Sequence, residues 1–343
     1  MKTIPLGSTG LSAPQNGFGC LPIQRIGREE AAKLLRRAYD GGIRFFDTAR
    51  DYSDSEEKLG LAFGGERKEL ILATKTAAKA PEDFWRDLNT SLTLLKVPCV
   101  DIYQFHCAEC CYRPNDGSGM YEAMSEAKER GLIRHIGITT HRIGVAEDAI
   151  ESGLYETLQF PFSYLSNERE LALAEHCKKQ NMLLIAMKAL AGGLIKNANA
   201  AFAFVSQYDN VMPIWGIQRE NELDDWLGLF ESSDEMTDDL WTFIEKERRE
   251  LNGDFCRGCG YCMPCPMGIE INNCARMSLM LRRAPSEAWL TESWQERMRQ
   301  ITSCLSCGRC KSRCPYGLDV PTLLRANLED YLEVLSGKKS VNL

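Results

Sequence analysis

Residues 69–106 read ELILATKTAAKAPEDFWRDLNTSLTLLKVPCVDIYQFH and contain two continuous apolar segments separated by a helical one. The apolar segments, ELILATK (69–75) and VDIYQFH (100–106), predict strands, and residues 82–96 between them predict a helix. Apolar residues follow one another in both strands, as expected where both faces of a strand are buried. This strand–helix–strand order predicts a unit of parallel sheet covered by helices.

The same alternation continues along the chain in both directions. Residues 1–12 predict a short hairpin, and NGFGC ends a first strand near Cys20. Further buried strands are predicted at FFDTA, LIRHIGIT (132–139), ETLQFPF (156–162), MLLIAMKAL (182–190) and VMPIWGI (211–217). Eight such strands alternating with helices predict a (β/α)₈ barrel. A doubly wound sheet is the alternative, but no GxGxxG motif follows the first strand.

Length and charge indicate the wider organisation. The chain has 343 residues, a length that fits one large domain and one small domain. Its formal net charge is −7. We expect the barrel at residues 1–232, a linker helix at 233–253 and a mainly helical, cysteine-rich domain at 254–343. The composition indicates neither nucleic acid nor a membrane as a partner, and no apolar run approaches the roughly 20 residues that span a bilayer.

Two cysteine runs define the last domain. Residues 256–266 read CRGCGYCMPCP, and residues 304–315 read CLSCGRCKSRCP. Each run has three cysteines at two-residue gaps, which can wrap one iron–sulfur cluster, and a fourth before proline, which in two-cluster proteins ligates the other cluster. Zinc sites usually use two separated pairs of cysteines. The runs therefore predict two [4Fe–4S] clusters, with two zinc sites as the alternative.

The full set of cysteines indicates a reducing compartment. The chain has 15 Cys, and its first residues, MKTIPLGSTG, lack the apolar core of a secretory signal. A disulfide framework is not expected without such a signal. We therefore expect a cytoplasmic protein, and the many unpaired thiols favour an oxygen-poor cell.

Chemically active side chains occur where the predicted strands end. Asp47, Lys75 and His106 end the second, third and fourth strands, Thr139 ends the fifth, and Tyr52 follows Asp47. Barrel enzymes carry their active sites at this end of the strands. A buried Asp and Lys must pair, a Tyr near the Lys would have a lowered pKa, and a His could donate to a carbonyl oxygen.

Each of these residues alone has an ordinary structural explanation. Asp47 could cap a helix, Lys75 could extend to the rim, and His106 could be a hydrogen-bonded core residue. Their joint occurrence at the ends of consecutive strands favours an active site.

The segments GIRFFDTARDYSDSEEKLG, LATK, DIYQFH and IRHIGIT resemble the signature blocks of the aldo-keto reductase family, over about residues 1–232. The resemblance implies a catalytic tetrad of Asp47, Tyr52, Lys75 and His106. Tyr52 would be the proton donor, Lys75 and Asp47 would tune it, and His106 would orient a substrate carbonyl. Hydride would come from a nicotinamide in the barrel mouth.

The cysteine-rich tail resembles the branch of this family with a C-terminal ferredoxin-like domain, and it is similar to the all-helical two-cluster ferredoxins. That likeness implies that each cluster takes three ligands from one run and one from the other. The expected ligand sets are Cys256, Cys259, Cys262 and Cys314 for the first cluster and Cys304, Cys307, Cys310 and Cys265 for the second.

The resemblance also implies an NAD(P)H site. The residues at the matching positions are Thr139, Thr140, Gln159, Met187, Gly216 and Arg219. Thr139, Thr140 and His141 stand where a Ser-Asn pair binds the carboxamide, and Met187 stands where many members stack an aromatic ring.

The segment that would hold the nucleotide phosphate, IWGIQRENELDDW, is acidic. Arg219 is its one basic residue, and Glu222, Asp224 and Asp225 surround it. This balance predicts weak binding of an anionic nicotinamide nucleotide.

A loop with three cysteines, HCAECC, directly follows the fourth predicted strand and overhangs the predicted site. Cys107, Cys110 and Cys111 could act as a reactive thiol or as further metal ligands. Packing of free thiols in a reducing cell is the simpler interpretation.

Three functional hypotheses remain. The first is a nicotinamide-dependent reductase of a carbonyl or related unsaturated small molecule. The second is a nicotinamide-independent reductase whose clusters receive electrons from an external ferredoxin or another donor, while Tyr52 and His106 supply protons. The third is a redox-sensing or electron-relay module on a vestigial barrel, which the intact tetrad disfavours. Fold analogy favours the first hypothesis, and the acidic nucleotide segment favours the second.

Overall fold

The computed structural model describes residues 2–64, 69–231, 235–251, 255–283 and 286–341. The chain forms two compact units: Met1–Ala189 with Asn199–Trp241, and Leu190–Ala198 with Thr242–Leu343. The boundaries expected at 232/233 and 253/254 fall outside the described residues. The assignment of Leu190–Ala198 to the second unit was not expected from the sequence.

An antiparallel hairpin precedes the barrel, with strands β1 (Thr3–Pro5) and β2 (Ser12–Pro14). Ile4 and Leu6 pack against residues that begin the barrel strands, such as Phe45. The turn at Gly7 has a φ of 61°, and a Cβ there would lie 2.6 Å from the backbone nitrogen of Leu183. Only glycine fits this close approach, which seats the hairpin at the amino-terminal end of the strands.

Within the described residues, eight parallel strands form a closed barrel in which the last strand pairs with the first. Each is short and almost wholly buried, which explains the continuous apolar runs in the sequence. The strands are β3 (Gly17–Gly19), β4 (Phe45–Asp47), β5 (Ile71–Thr76), β6 (Val100–Phe105), β7 (Ile133–Thr139), β8 (Thr157–Pro161), β9 (Leu183–Met187) and β10 (Val211–Gly216). The predicted (β/α)₈ barrel is confirmed.

One helix follows each barrel strand and covers it from outside. These helices are α1 (Arg28–Asp40), α2 (Ser55–Phe63), α3 (Pro81–Leu95), α4 (Met120–Glu129), α5 (Ile143–Ser152), α6 (Glu168–Lys179), α7 (Ala198–Ser206) and α8 (Glu220–Glu231). Amphipathic α1 and α3 bury one apolar face each, for example Leu34 and Leu35 of α1 and Phe84 and Leu88 of α3.

The second unit is mainly helical, as predicted. Its helices are α9 (Asp238–Glu250, which begins in the first unit), α10 (Ile271–Cys274), α11 (Met277–Arg283), α12 (Glu292–Arg299), α13 (Arg309–Arg313) and α14 (Val320–Leu335). Buried Met277, Met298, Leu324 and Tyr331 belong to its core. None of the helices in the described ranges combines the length and hydropathy that a bilayer span requires.

One helix expected from the sequence is broken in two. INNCARMSLMLRRA predicts one helix, but the chain turns at Ala275 and Arg276 between α10 and α11. The Asn327 side chain accepts from the backbone nitrogen of Ser278 at 2.8 Å and donates to the carbonyl of Ala275 at 3.2 Å. These contacts satisfy backbone groups that the break exposes.

Candidate functional site

The structure brings the four tetrad candidates together at the carboxyl ends of the barrel strands. Asp47 ends β4, Lys75 is the penultimate residue of β5, and His106 directly follows β6. Tyr52 lies in the loop between β4 and α2.

A buried ion pair forms the base of this site. Nζ of Lys75 lies 2.6 Å from Oδ2 of Asp47 and donates to the carbonyl of Thr48 at 2.5 Å. Both charged side chains are about 1–2% exposed. Burial lowers the pKa of Lys75, but Asp47, Tyr52 and Cys20 together raise it more, so the net shift is upward and the ammonium form is favoured.

Two glutamines complete the surroundings of Asp47. Nε2 of Gln104 donates to Oδ1 of Asp47 at 3.3 Å, and Nε2 of Gln159 lies 3.5 Å from Oδ2. Gln159 is the residue that the family resemblance assigns to the nicotinamide carboxamide. Sequence reasoning missed Gln104, although it lies two residues before His106 and therefore on the same face of the strand.

Backbone hydrogen bonds to β5 position the loop that carries Tyr52. The backbone nitrogens of Thr48 and Arg50 donate to the carbonyls of Ala73 and Lys75 at 2.8 and 3.0 Å. Nζ of Lys75 lies 5.2 Å from the centroid of the Tyr52 ring.

The expectation of a lowered Tyr52 pKa is wrong. Burial raises the pKa of Tyr52, and this effect outweighs the opposing influence of Lys75, which Asp47 partly cancels. Tyr52 is therefore a protonated phenol at neutral pH, which is the form that can donate a proton.

His106 faces Tyr52 across the mouth of the barrel. The two ring centroids lie 5.6 Å apart at 80°. Nδ1 of His106 lies 3.4 Å from Oδ2 of Asp51, a residue that sequence reasoning missed. Burial lowers the pKa of His106, but Asp51 and Cys107 raise it more, so the net shift is upward. His106 in turn lowers the pKa of Asp51.

Strained backbone lies beside three of the expected site residues. Ser53, Cys107 and Lys188 have φ values of 40°, 51° and 55°. They directly neighbour Tyr52, His106 and Met187 respectively. Left-handed backbone in non-glycine residues is concentrated at functional sites, so its position here supports an active site at this end of the barrel.

Cys20 also lies at the barrel mouth, although the sequence offered no role for it. Its backbone nitrogen donates to the carbonyl of Asp47 at 2.8 Å. Burial raises the pKa of the Cys20 thiol well above its ordinary value, and the charge of Asp47 adds to the rise. Cys20 is therefore a neutral thiol beside the ion pair.

The two threonines expected at the nicotinamide carboxamide hold the cysteine-containing loop. Oγ1 of Thr139 accepts from the backbone nitrogen of Cys107 at 2.8 Å. Oγ1 of Thr140 donates to the carbonyl of Ala108 at 2.9 Å and accepts from the backbone nitrogen of Arg142 at 3.0 Å. These bonds order the loop after β6.

The loop places its cysteines in different surroundings. Cys107 is half-buried beside His106, while Cys110 is exposed. Burial raises the pKa of the Cys110 thiol, and the nearby Asp116 adds to the rise. A raised pKa disfavours the reactive thiolate at Cys110.

An internal carboxylate occupies the backbone groups where a nucleotide phosphate is expected. Oε2 of Glu222 accepts from the backbone nitrogens of Gln218 and Arg219 at 2.9 and 3.1 Å. These groups lie between Gly216, at the end of β10, and the amino terminus of α8, where barrel enzymes commonly bind phosphate. The Arg219 side chain is 67% exposed and lies 3.9 Å from Glu222.

The same segment, IWGIQRENELDDW, also contains a stacked aromatic pair. Trp226 of α8 stacks on Trp215 of β10, with ring centroids 3.9 Å apart and an interplanar angle of 15°. Both rings are nearly inaccessible to solvent.

In the second unit, four expected ligands line one pocket. Cys265 from the first run meets Cys304, Cys307 and Cys310 from the second, together with Cys262 and apolar residues. This is the ligand set expected for the second cluster.

Members of the other expected ligand set interact electrostatically with one another. Burial raises the pKa of Cys256, and its neighbours Cys259 and Cys314 raise it further. Cys259 and Cys256 likewise contribute to the raised pKa of Cys262. Cys314 of the second run therefore lies within electrostatic reach of Cys256 in the first run.

The two runs repeat the same backbone conformation. The nitrogens of Gly258 and Ser306 donate to the sulfurs of Cys256 and Cys304, each at 3.4 Å. Both donors have left-handed backbone, with φ of 62° and 50°. Such bonds to sulfur are typical of iron–sulfur ligands and influence their reduction potential.

A [4Fe–4S] cubane needs a more widely spread ligand set than a single metal ion, because each of its ligands binds a different iron. In the described ranges, no three or more His, Cys, Asp or Glu side chains are close enough to hold one metal ion.

A buried arginine lies beside the first ligand set. Arg276 is 6% exposed, donates to the carbonyl of Gly192 at 2.7 Å, and interacts electrostatically with Cys256. Burial lowers the pKa of this guanidinium. A Cβ on Gly258 would lie 2.7 Å from its Nη1, so glycine at that position leaves room for the charge.

The sequence matches two family profiles. The Aldo/keto reductase family profile matches residues 9–203, and that of the 4Fe-4S dicluster domain matches residues 255–319. The first covers more than half of the chain.

Individual relatives agree with the first profile. The uncharacterized oxidoreductase YqkF of Bacillus subtilis is 28% identical over 211 residues, 57% of this chain and 67% of that protein. The aldo-keto reductase YhdN of the same organism is 27% identical over 214 residues, 57% of this chain and 64% of its own length. The matches thus span about two thirds of these relatives.

A solved structure shows the same fold. An aldo-keto reductase from Klebsiella pneumoniae in complex with NADPH superimposes with a TM-score of 0.63 at 18% identity, covering 72% of this chain and 95% of that one. At this identity the likeness concerns the fold alone.

Proposed function

Because the chain belongs to the aldo/keto reductase family, we propose that it reduces a carbonyl or related unsaturated group of a small molecule, with Tyr52 donating the proton. The arrangement of Tyr52 and His106 over the buried Lys75–Asp47 pair carries this proposal. A neutral phenol, a cation and a hydrogen-bonding imidazole meet at one end of a barrel, where such enzymes bind substrate.

The proposed chemistry adds one hydride equivalent and one proton across the C=O bond. Tyr52 transfers its phenolic proton to the carbonyl oxygen as the carbon gains a hydrogen, and the product is an alcohol. Lys75 stabilises the phenolate that Tyr52 leaves, and Asp47 holds Lys75 in place. His106 orients the carbonyl oxygen towards Tyr52.

A nicotinamide, when bound, would supply the hydride. Thr139, Thr140, Gln159 and Met187 lie at the strand ends where its ring would be held. Gly216 and Arg219 mark the segment that would meet its phosphates. Thr140 and Gln159, however, already have partners within the protein.

A second candidate is reduction without a nicotinamide, with electrons from the iron–sulfur clusters. The Glu222 carboxylate favours it, since it occupies the backbone nitrogens that an anionic nucleotide would need. The reaction would then take two electrons and two protons, with Tyr52 and His106 as the proton sources. Each cluster supplies one electron when bound, so two clusters match the number required.

We also propose which cysteines hold the clusters. Cys256, Cys259, Cys262 and Cys314 would bind one, and Cys304, Cys307, Cys310 and Cys265 the other. The match to a 4Fe-4S dicluster domain and the proximity of Cys314 to Cys256 support this assignment. Buried thiols with raised pKa values release protons on binding iron.

One set of anaerobic measurements tests these proposals. Purified protein would be mixed with a panel of aldehydes and ketones and with NADPH, NADH or reduced ferredoxin as donor. We expect Tyr52→Phe to lower turnover by about 10²–10⁴-fold while the cluster spectrum stays unchanged. Unchanged turnover in Tyr52→Phe would refute the role of Tyr52.

The donor experiment separates the remaining hypotheses. Turnover with ferredoxin and no change of nucleotide fluorescence on adding protein would select the nicotinamide-independent route. Reversible cluster reduction with no turnover of any substrate would favour the redox-sensing or relay module.

A further inference from the structure

The two ligand sets differ in their exposure. Cys256 and Cys262 of the first set are each 8% exposed. Cys307 of the second set is exposed, and its neighbour Leu305 is 68% exposed, the most exposed of the large apolar side chains in the described residues. One edge of the second site therefore reaches the protein surface.

This edge is strongly basic in an acidic protein. From Arg297 to Leu318 the sequence contains five Lys and Arg residues and no Asp or Glu, although the whole chain has a net charge of −7. The five are Arg297, Arg299, Arg309, Lys311 and Arg313.

Two of these cations have no carboxylate partner among the described residues. Arg309 and Arg313 are exposed and lie four residues apart on α13, hence on one helical face. In the part of the chain that the structure describes, no carboxylate lies within ion-pair distance of either residue. Lys311, by contrast, pairs with Asp319 at 3.1 Å. Arg309 also lines the pocket of Cys304, Cys307 and Cys310.

We propose that Leu305, Cys307, Arg309 and Arg313, here named the Arg309 surface, form the docking site for an acidic one-electron carrier protein. The inference rests on the proposed binding of a cluster by Cys265, Cys304, Cys307 and Cys310. The carrier loses one electron and the cluster gains it, with no bond made or broken in the protein.

Charge and chemistry together select this partner. Exposed arginines without carboxylate partners attract an acidic protein surface and accelerate its association. Leu305 adds an exposed apolar contact. Leu305 and Arg309 line the same pocket as Cys304, Cys307 and Cys310, the expected ligands of a redox centre, which favours an electron carrier over a nucleic acid or an anionic membrane.

The test uses the hydroquinone form of an acidic flavodoxin as carrier, because its flavin absorbance can be separated from that of the clusters. Stopped-flow mixing without substrate gives the rate of cluster reduction, and calorimetry with oxidised flavodoxin gives the affinity. We expect Arg309→Glu and Arg313→Glu each to reduce the second-order rate constant about tenfold at low salt. The loss should shrink at high ionic strength.

Lys338→Glu is the matched control, since it makes the same charge change at another exposed residue. Lys338 lies just beyond the end of α14, whereas Leu324 of the same helix lines the pocket. Along the helix axis, Leu324 and Leu335 are about 16 Å apart, so the control position is distant from the pocket. Reduced methyl viologen, a small cation, serves as a second donor and should reduce all variants at least as fast as the wild type.

Each outcome decides the proposal. The proposal is supported if Arg309→Glu and Arg313→Glu lower the rate constant with flavodoxin and Lys338→Glu does not. The proposal would be overturned if Lys338→Glu lowered the rate constant as much as the arginine variants do, or if no variant changed it. It would also be overturned if viologen reduced the wild type but flavodoxin neither bound nor reduced it. Tighter, Arg309-dependent binding of a DNA duplex or of anionic vesicles would reassign the surface. Clusters that viologen cannot reduce would instead count against cluster-fed reduction.

Discussion

Nζ of Lys75 lies 2.6 Å from Oδ2 of Asp47, and both side chains are almost completely buried. Removal of one partner would leave the other as an unpaired buried charge. We expect Lys75→Met or Asp47→Asn to lower the free energy of unfolding by about 3–5 kcal/mol. The double variant should lose less free energy of unfolding than the two single variants lose in sum. Chemical denaturation measures all three losses. Additive losses would show that the pair is not coupled.

Removal of the Glu222 carboxylate should strengthen the binding of a nicotinamide nucleotide. Glu222→Ala frees the backbone nitrogens of Gln218 and Arg219 and removes a negative charge, so affinity for NADPH should rise about tenfold. Fluorescence titration measures the change. Glu220→Ala is the control, because it removes the same charge from the same turn of α8 without touching those nitrogens. An equal gain in both variants would attribute the effect to net charge.

The position of Arg276 beside the first ligand set should influence the reduction potential of the cluster held there. A buried cation beside a cluster stabilises its reduced, more negative state. We therefore expect Arg276→Met to lower the potential of the cluster at Cys256, Cys259, Cys262 and Cys314, as an EPR-monitored redox titration would show. Arg325→Met, at an exposed position of α14, should leave both potentials unchanged. Unaltered potentials in Arg276→Met would contradict an electrostatic role.

The exchange of one ligand between the cysteine runs is testable by EPR spectroscopy of the reduced clusters. Cys314→Ser should disturb the cluster of the first run, because Cys314 interacts electrostatically with Cys256. Cys274→Ser, at a buried cysteine outside both expected sets, is the control. The EPR signal lost in Cys314→Ser should match the signal lost in Cys256→Ser. A match with Cys304→Ser would show that each run holds its own cluster.

The His106–Asp51 pair predicts a pH dependence. The pKa of folded His106 lies above its ordinary value of about 6.5 and that of Asp51 below its ordinary value of about 3.9. The His106 contribution to stability is complete below the unfolded pKa and is lost as pH rises through the folded one. The Asp51 contribution is lost as pH falls through its lowered pKa. Asp51→Asn should lower the His106 pKa in an NMR titration, whereas Asp116→Asn should not.

The sequence by itself determined the barrel, the positions of Asp47, Lys75 and His106 at its strand ends, and the presence of a dicluster domain. These features follow from local patterns: continuous apolar runs specify buried parallel strands, and cysteine spacing specifies cluster-binding turns. Polar residues at the ends of such strands must converge, because all strands of a parallel barrel point the same way.

Only the tertiary structure decided how these groups affect one another. Burial of Tyr52 outweighs Lys75 and raises the tyrosine pKa, and the reach of Glu222 back to the nitrogens before α8 depends on one side-chain direction. The electrostatic interaction of Cys314 with Cys256 and the hydrogen bond from Arg276 to Gly192 connect distant parts of the chain. Desolvation and long-range contacts depend on which surfaces pack together, and no local pattern encodes that information.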